Sequence, residues 1–142
     1  MWQFEGKDFS DELIGDNIGF VYLITNLITG KRYFGKKLFF FSKTAIRTVK
    51  LKNGTKKKKK IKSLIDSDWR DYWSSSEELK KDVILHGEDK FCREILHLCK
   101  TKGMMGYLEA KLQFKFEVLE KPNEFYNGII NCKIHRTHIK LD

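Results

Sequence analysis

The chain has 142 residues, enough for one domain with a single core but too few for two. Its hydrophobic (41%) and aromatic (13%) fractions exclude a disordered chain, and no apolar run reaches the roughly 18 residues that a membrane span needs. The net charge of +9 favours a polyanionic partner, above all nucleic acid.

The N-terminal residues 1–18 are predicted to be a leader that packs on the domain. They are not expected to be a secretory signal, because acidic residues interrupt them and they lack an apolar core segment. The three cysteines, Cys92, Cys99 and Cys132, lack CxxC spacing, which argues against a disulfide framework or a standard zinc site. A reducing cytoplasm is therefore the expected location.

The first regular elements are predicted to form a β-hairpin. Residues 20–25 are rich in β-branched and aromatic side chains, which is typical of a strand. Residues 26–30 supply turn chemistry, and residues 31–35 form the return strand. The hairpin carries Tyr22 and Tyr33, which on their own would be ordinary strand aromatics.

Residues 43–63 form a basic segment that contains no acidic residue. An Asn53-Gly54 pair marks a turn within it, and it includes Lys43, Arg47 and the lysine run Lys56, Lys57, Lys58, Lys59 and Lys60. Because these charges repel one another and cannot be buried, the segment is predicted to be a mobile basic loop or arm. We expect it to follow DNA phosphates, with a merely solvated loop as the alternative.

The second half of the chain is predicted to alternate helices and strands. A short helix is predicted within 66–76, and a longer helix from the serines at 74–76 to His86-Gly87. A strand over 91–99, a helix over 101–121 before Pro122, and a strand over 128–134 in a tail reaching Lys140 follow. The predicted class is α+β, with a small antiparallel or mixed sheet of three or four strands flanked by helices.

Two short motifs resemble the paired signature of the GIY-YIG nuclease family. Gly19-Phe20-Val21-Tyr22 stands where the family has G-I-Y, and Tyr33-Phe34-Gly35-Lys36-Lys37 begins eleven residues after Tyr22, where the family has Y-I-G. The later segments DWRDYWSSSEELKKDVILHG, FCREIL and YLEAK are similar to stand-alone phage members of the family. The resemblance covers roughly residues 19 to 130, so residues 19–142 are expected to form a single nuclease-like domain after the leader.

The resemblance implies a phosphodiester hydrolase with its active site on one sheet face and one divalent metal ion, Mg²⁺ or Mn²⁺. It implies that Tyr22 positions or activates the attacking water, that Tyr33 supports the water or the phosphate, and that Glu109 binds the metal. Helical geometry places Glu109 towards the edge of an apolar helix face, which is compatible with this role. Without the motifs, Glu109 would be taken for a solvated helix glutamate.

The sequence departs from the family pattern at the active-site cation. The family carries an arginine about eight to ten residues after the second-motif glycine; Lys43 occupies that distance here, and Arg47 lies twelve residues after Gly35. We favour Arg47, with Lys43 as a less directional charge and Arg70 as a third candidate if the lysine-rich stretch is an insertion. A family asparagine corresponds to Asn127, whose Asn-Gly pair is equally typical of a plain turn.

The function expected from the sequence is a metal-dependent DNA endonuclease, phage-encoded and acting on double-stranded DNA in the host cytoplasm. Lys36, Lys37 and the lysines at 56–60 are the expected DNA contacts. The alternative is a catalytically inactive nucleic-acid-binding protein on the same fold, which the displaced arginine favours. The oligomeric state stays open, because a single site cuts one strand per encounter and a double-strand break would need a dimer or two visits.

Overall fold

The computed structural model describes residues 1–139, which form a five-stranded sheet, two helices and a separate two-stranded ribbon. The helices are α1 (Glu77–His86) and α2 (Lys102–Lys115). The strands are β1 (Trp2–Phe4), β2 (Lys7–Asp8), β3 (Gly19–Asn26), β4 (Arg32–Leu38), β5 (Phe40–Lys50), β6 (Lys56–Asp66) and β7 (Phe91–Cys99). The α+β class is as the sequence predicts.

The main sheet has the strand order β2-β1-β7-β3-β4, and its neighbours are antiparallel except for the parallel pair β1 and β7. It has five strands, not the three or four predicted, because the leader supplies two of them. Trp2 of β1 is buried, and its indole nitrogen donates a hydrogen bond of 2.7 Å to the carbonyl of Trp69. The leader is therefore part of the sheet instead of a layer packed on it.

Side chains of β3 alternate between two hydrophobic layers, one on each face of the sheet. Phe20, Tyr22 and Ile24 join an aromatic cluster that includes residues of α1. The intervening Val21 contacts Met105 of α2 in a second cluster. Helices therefore cover both faces, as expected for strands buried on two sides, and β4 is left as the edge strand next to both layers.

Local chemistry explains where the helices begin and end. The Ser76 side chain accepts a hydrogen bond from the Leu79 amide and starts α1, and Thr101 starts α2 in the same way. The prediction that α2 continues to residue 121 is wrong, because Glu117 adopts a left-handed φ of 55°. The amide of Val118 then bonds to the Gln113 carbonyl, a helix-ending pattern that draws the fully buried Val118 into the core.

The predicted strand at 128–134 is also absent, and a side chain explains why. Asn127 accepts a hydrogen bond from the Phe34 amide (3.0 Å) and donates one to the Phe34 carbonyl (2.8 Å), so it takes the place of a neighbouring strand on the edge of β4. A single bridge pairs Arg32 with Phe125 just before it. The end of the predicted tail, Lys140, lies outside the described residues.

The basic segment is a long antiparallel ribbon, so of the predicted loop or arm it has the form of an arm with regular strands. Strands β5 and β6 pair in continuous register from Phe40 opposite Asp66 to Lys50 opposite Lys56, around the Asn53-Gly54 turn. Consecutive lysines of a strand point to opposite faces, and Lys58 and Lys60 lie opposite Thr48 and Ile46, which limits their repulsion. Lys56 and Lys59 lie opposite Lys50 and Arg47, so part of the like-charge repulsion remains. Because β6 extends to Asp66, the helix predicted within 66–76 is reduced to a 3₁₀ turn at Trp69–Asp71.

Candidate active site

A cavity of about 190 Å³ lies beside the edge strand β4. It collects side chains from the hairpin, from the segment before α1, from α2 and from the C-terminal tail. The lining residues are Tyr22, Tyr33, Lys36, Tyr72, Ser75, Glu109, Gln113, Ile129 and Asn131. The structure thus brings together three residues that the sequence singles out as catalytic candidates: Tyr22, Tyr33 and Glu109.

The two tyrosine rings can approach each other because the residue opposite Tyr22 in the hairpin is a glycine, which has no side chain to occupy the space between them. Tyr22 is opposite Gly35, and the centroids of the Tyr22 and Tyr33 rings are 6.2 Å apart at an interplanar angle of 30°. A Cβ atom at Gly35 would collide with the Tyr22 hydroxyl oxygen and lie only 2.5 Å from Cζ of the same ring. Gly35 is therefore needed at this position because the Tyr22 ring lies across its backbone.

Gly35→Ala is expected to destabilise the fold by about 1–3 kcal/mol, because the Tyr22 ring is buried and cannot move aside without strain. Urea unfolding monitored by tryptophan fluorescence measures the change. Gly128→Ala is the matched control, since a Cβ atom there meets nothing within 4 Å. Equal stability of the two variants would contradict the close contact.

Glu109 projects from α2 into the cavity and is 8% exposed. Its Oε1 lies 3.9 Å from Nζ of Lys36, which belongs to β4. Burial raises the pKa of the Glu109 carboxyl above its ordinary value, and the ammonium group of Lys36 acts in the opposite direction. A buried carboxylate with only one distant counter-ion is a group that gains from a bound cation.

Gln113 supplies a second oxygen one helical turn after Glu109. Its Nε2 donates a hydrogen bond of 3.1 Å to the Phe34 carbonyl, and its buried Oε1 has no partner among residues 1–139. No group of three or more His, Cys, Asp or Glu side chains that could hold a metal occurs in the same residues. Mg²⁺ needs few protein ligands, because it keeps several waters and takes phosphate oxygens from its substrate, so Glu109 with a free amide oxygen beside it fits such an ion.

The tyrosine hydroxyls of the cavity are held in their protonated form. Burial raises the pKa of Tyr22 well above the ordinary value, and Tyr33, Tyr72 and Glu109 add to the shift. Burial also raises the pKa values of Tyr33 and Tyr72. The Tyr33 hydroxyl lies 3.2 Å from Oγ of Ser75, within hydrogen-bonding distance. These phenols therefore suit hydrogen-bond donation better than proton abstraction.

The arginine and lysine candidates for the active-site cation lie elsewhere. Arg47 and Lys43 are exposed on β5, and neither lines the cavity. The Arg70 guanidinium lies 2.5 Å from Asp11 and 3.8 Å from Asp66, also outside it. The structure instead places Lys36 in the cavity and Lys37 beside it.

Lys37 does not line the cavity, but its ammonium group lies over the ring of Tyr72, which does. Its Nζ lies 3.9 Å from the centroid of the Tyr72 ring and 2.6 Å from Oδ1 of Asp68. This pairing lowers the pKa of the exposed Asp68 carboxyl, chiefly through the hydrogen bond from Lys37. Two ammonium groups on consecutive residues of β4 thus lie at or next to the two tyrosines.

Asn127, another sequence candidate, does not line the cavity, because both polar atoms of its amide are bonded to the backbone of Phe34. In the structure it braces the strand that carries Tyr33, Gly35 and Lys36. Asn127 can therefore influence the cavity residues by holding the backbone of β4 in place.

Five lining residues were not identified as site candidates from the sequence: Tyr72, Ser75, Gln113, Ile129 and Asn131. The serines at 74–76 were predicted to begin a helix, a role that Ser76 fills. Gln113 had an available signal, because residues four apart on a helix share a face and Glu109 was already a candidate.

The comparisons with known proteins give one match. The family model described as "Putative endonuclease segE, GIY-YIG domain" matches residues 2–130. No curated protein and no solved structure gives a match. The matched region includes β1 and all residues that line the cavity except Asn131. No helix within residues 1–139 is long and apolar enough to cross a membrane.

Proposed function

Because the chain belongs to the GIY-YIG endonuclease family, we propose that it is a metal-dependent endonuclease that hydrolyses phosphodiester bonds of double-stranded DNA. The observation that carries the proposal is the convergence of Tyr22, Tyr33, Lys36 and Glu109 in one cavity. The similarity of the central segments to stand-alone phage members supports a phage origin, with action in the host cytoplasm.

Phosphodiester hydrolysis needs an oriented water, stabilisation of the developing negative charge, and a group that polarises the phosphate. A bound Mg²⁺ or Mn²⁺ ion would supply Lewis-acid polarisation, with Glu109 holding it and Gln113, whose buried Oε1 has no partner among residues 1–139, lining the same cavity. Tyr22 donates a hydrogen bond that orients the attacking water. Tyr33 and Lys36 bind the phosphate oxygens, where the ammonium charge offsets the charge that builds up.

Arg47, Lys43 and Arg70 do not line the cavity, so another residue is needed as the active-site cation. Lys36 has its Nζ near Glu109 and is the charge closest to the proposed chemistry, so we assign it the role that the sequence suggested for Arg47. Lysine presents a point charge and no bidentate fork, which suits binding of one phosphate oxygen. Lys37, Lys56, Lys57, Lys58, Lys59 and Lys60 remain the proposed contacts to the DNA backbone.

Cleavage of supercoiled plasmid by the wild-type protein tests the proposal. We expect nicked or linear product with Mg²⁺ or Mn²⁺ and none with a chelator. A protein with one cavity cuts one strand per encounter, so nicked circles should precede linear DNA unless a dimer acts. Salt-sensitive binding without cleavage under any of these conditions would favour the alternative, an inactive nucleic-acid-binding protein on the same fold.

A further inference from the structure

The ribbon formed by β5 and β6 carries the whole net charge of the protein. Residues 40–66 hold ten of the 28 Lys and Arg residues and one of the 19 Asp and Glu residues. The remainder of the chain therefore has eighteen of each sign and a formal charge of zero. The net attraction of the protein to a polyanion at long range therefore comes from the ribbon.

The ribbon projects freely from that body. Its side chains from Ser42 to Asp66 are exposed, except for the half-buried Ile61. Each strand has 11 residues, so the ribbon is about 35 Å long at roughly 3.3 Å per residue. Apolar side chains of the ribbon such as Ile46 and Leu64 remain exposed (both 69%). The length of the ribbon is therefore not explained by packing against the hydrophobic core.

The two strands have different chemistry. Strand β6 carries lysines at 56–60 and 62, which point to both faces and form a continuous cationic edge. Besides Lys43 and Lys50, strand β5 presents small and polar side chains together with one arginine, the residue type most suited to guanine. The set on β5 is Ser42, Thr44, Ala45, Arg47, Thr48 and Val49.

One ribbon face continues the surface of the candidate active site. Phe41, Lys43, Ala45 and Arg47 share a face, because alternate residues of a strand point the same way. The Phe41 ring lies 5.0 Å from Nζ of Lys37, and the same ammonium group lies 3.9 Å from the Tyr72 ring of the cavity. One ligand of sufficient length could contact the cavity and this face together.

We propose that the β5–β6 ribbon inserts into the major groove of double-stranded DNA, with β6 lysines on the phosphates and Arg47 directed at base edges. The major groove, about 12 Å wide, admits a two-stranded β-ribbon, and the ribbon's length is close to one helical turn of about 34 Å. This inference rests on the proposed function, since it names how the DNA substrate is held.

The test compares binding of a fluorescent 30-base-pair duplex, in chelator, by the wild-type chain and by a shortened-ribbon variant. In that variant an Asn-Gly turn replaces residues 46–60 and joins Ala45 to Ile61, which are paired partners. We expect affinity to fall about a hundredfold at low salt. The slope of log K against log salt should also become shallower by about 4.5, if about five phosphate contacts are lost at about 0.9 each.

A second variant keeps the ribbon and removes charge: Lys56, Lys57, Lys58, Lys59 and Lys60 are all replaced by Gln. It should show the same loss of salt dependence. Competition assigns the groove, because methyl green occupies the major groove and netropsin the minor groove. Methyl green should displace the wild-type protein, whereas netropsin should not.

Unchanged affinity and slope in the shortened variant would overturn the inference, as would displacement by netropsin but not by methyl green. Plasmid cleavage separates this outcome from the proposed function. Mg²⁺-dependent nicking by the wild-type protein, together with the loss of DNA affinity in the shortened variant, would support both. Ribbon-dependent binding by a wild-type protein that never cuts would sustain the ribbon inference and refute the nuclease.

Discussion

Replacing Glu109 by glutamine is expected to reduce metal-dependent plasmid cleavage by roughly a thousandfold. The carboxylate is the one acidic group among the residues lining the cavity, and glutamine keeps its shape but lacks the charge that would hold a divalent ion. Loss of metal polarisation is worth several kcal/mol of transition-state stabilisation, and each 1.4 kcal/mol is a factor of about ten. Initial rates of nicking with saturating Mg²⁺ measure the effect.

The same variant should not be less stable than the wild type. Burial raises the pKa of Glu109 in the folded state, so its favourable contribution is complete below the unfolded pKa and is lost as pH rises through the folded pKa. At pH 7 the wild type therefore carries the cost of a buried charge, which Glu109→Gln removes. Thermal unfolding should show an equal or higher midpoint at pH 7, with the difference vanishing below about pH 4.

The control for Glu109→Gln is Glu120→Gln, an exposed glutamate beyond the end of α2. It should retain full cleavage. Added Mg²⁺ should raise the unfolding midpoint of the wild type and of Glu120→Gln but not that of Glu109→Gln, because a ligand stabilises only the state that binds it. If Glu109→Gln cuts plasmid at the wild-type rate, the metal lies elsewhere.

The elements that the sequence predicts well are those determined by neighbouring residues. The β3–β4 hairpin follows from its β-branched strands and turn, β7 matches its predicted bounds, and α1 begins and ends at its serine and glycine signals. The pairing of β1 with β7 joins residues about ninety positions apart, and the sequence around Trp2 contains no signal that predicts it. The early end of α2 depends on Val118 entering the core, which is likewise a tertiary effect.

The candidate site was predictable to the extent that short motifs encode it. The tyrosine pair and Glu109 were named from sequence, and the structure brings them into one cavity. For the cation, distance in sequence from Gly35 is a poor guide, because Lys43 and Arg47 lie on a strand that the structure folds into a projecting ribbon. Once β5 and β6 pair with each other, Arg47 lies on the ribbon and away from the cavity, whatever its distance in sequence from Gly35.

The second large effect is expected for Tyr22→Phe, which should slow cleavage by about a hundredfold while leaving the fold intact. The Tyr22 ring packs edge-on against Trp2 and beside Tyr33, and phenylalanine keeps those contacts. Only the hydroxyl group is lost, and a positioned hydrogen-bonding or proton-transferring group contributes typically 10²–10⁴ in rate. Single-turnover cleavage separates this loss from weaker DNA binding, and Tyr107→Phe, outside the cavity on α2, is the control.

The pH dependence of the wild-type rate distinguishes the two roles open to Tyr22. Because burial raises its pKa well above the ordinary tyrosine value of about 10, the phenol is expected to stay protonated across the working range, as the proposed role of water-orienting donor requires. The wild-type rate should then show no alkaline inflection that disappears in Tyr22→Phe. An inflection that does disappear would mean that metal and lysine together lower this pKa on DNA binding, making Tyr22 the base; an unchanged rate in Tyr22→Phe would remove it from the chemistry.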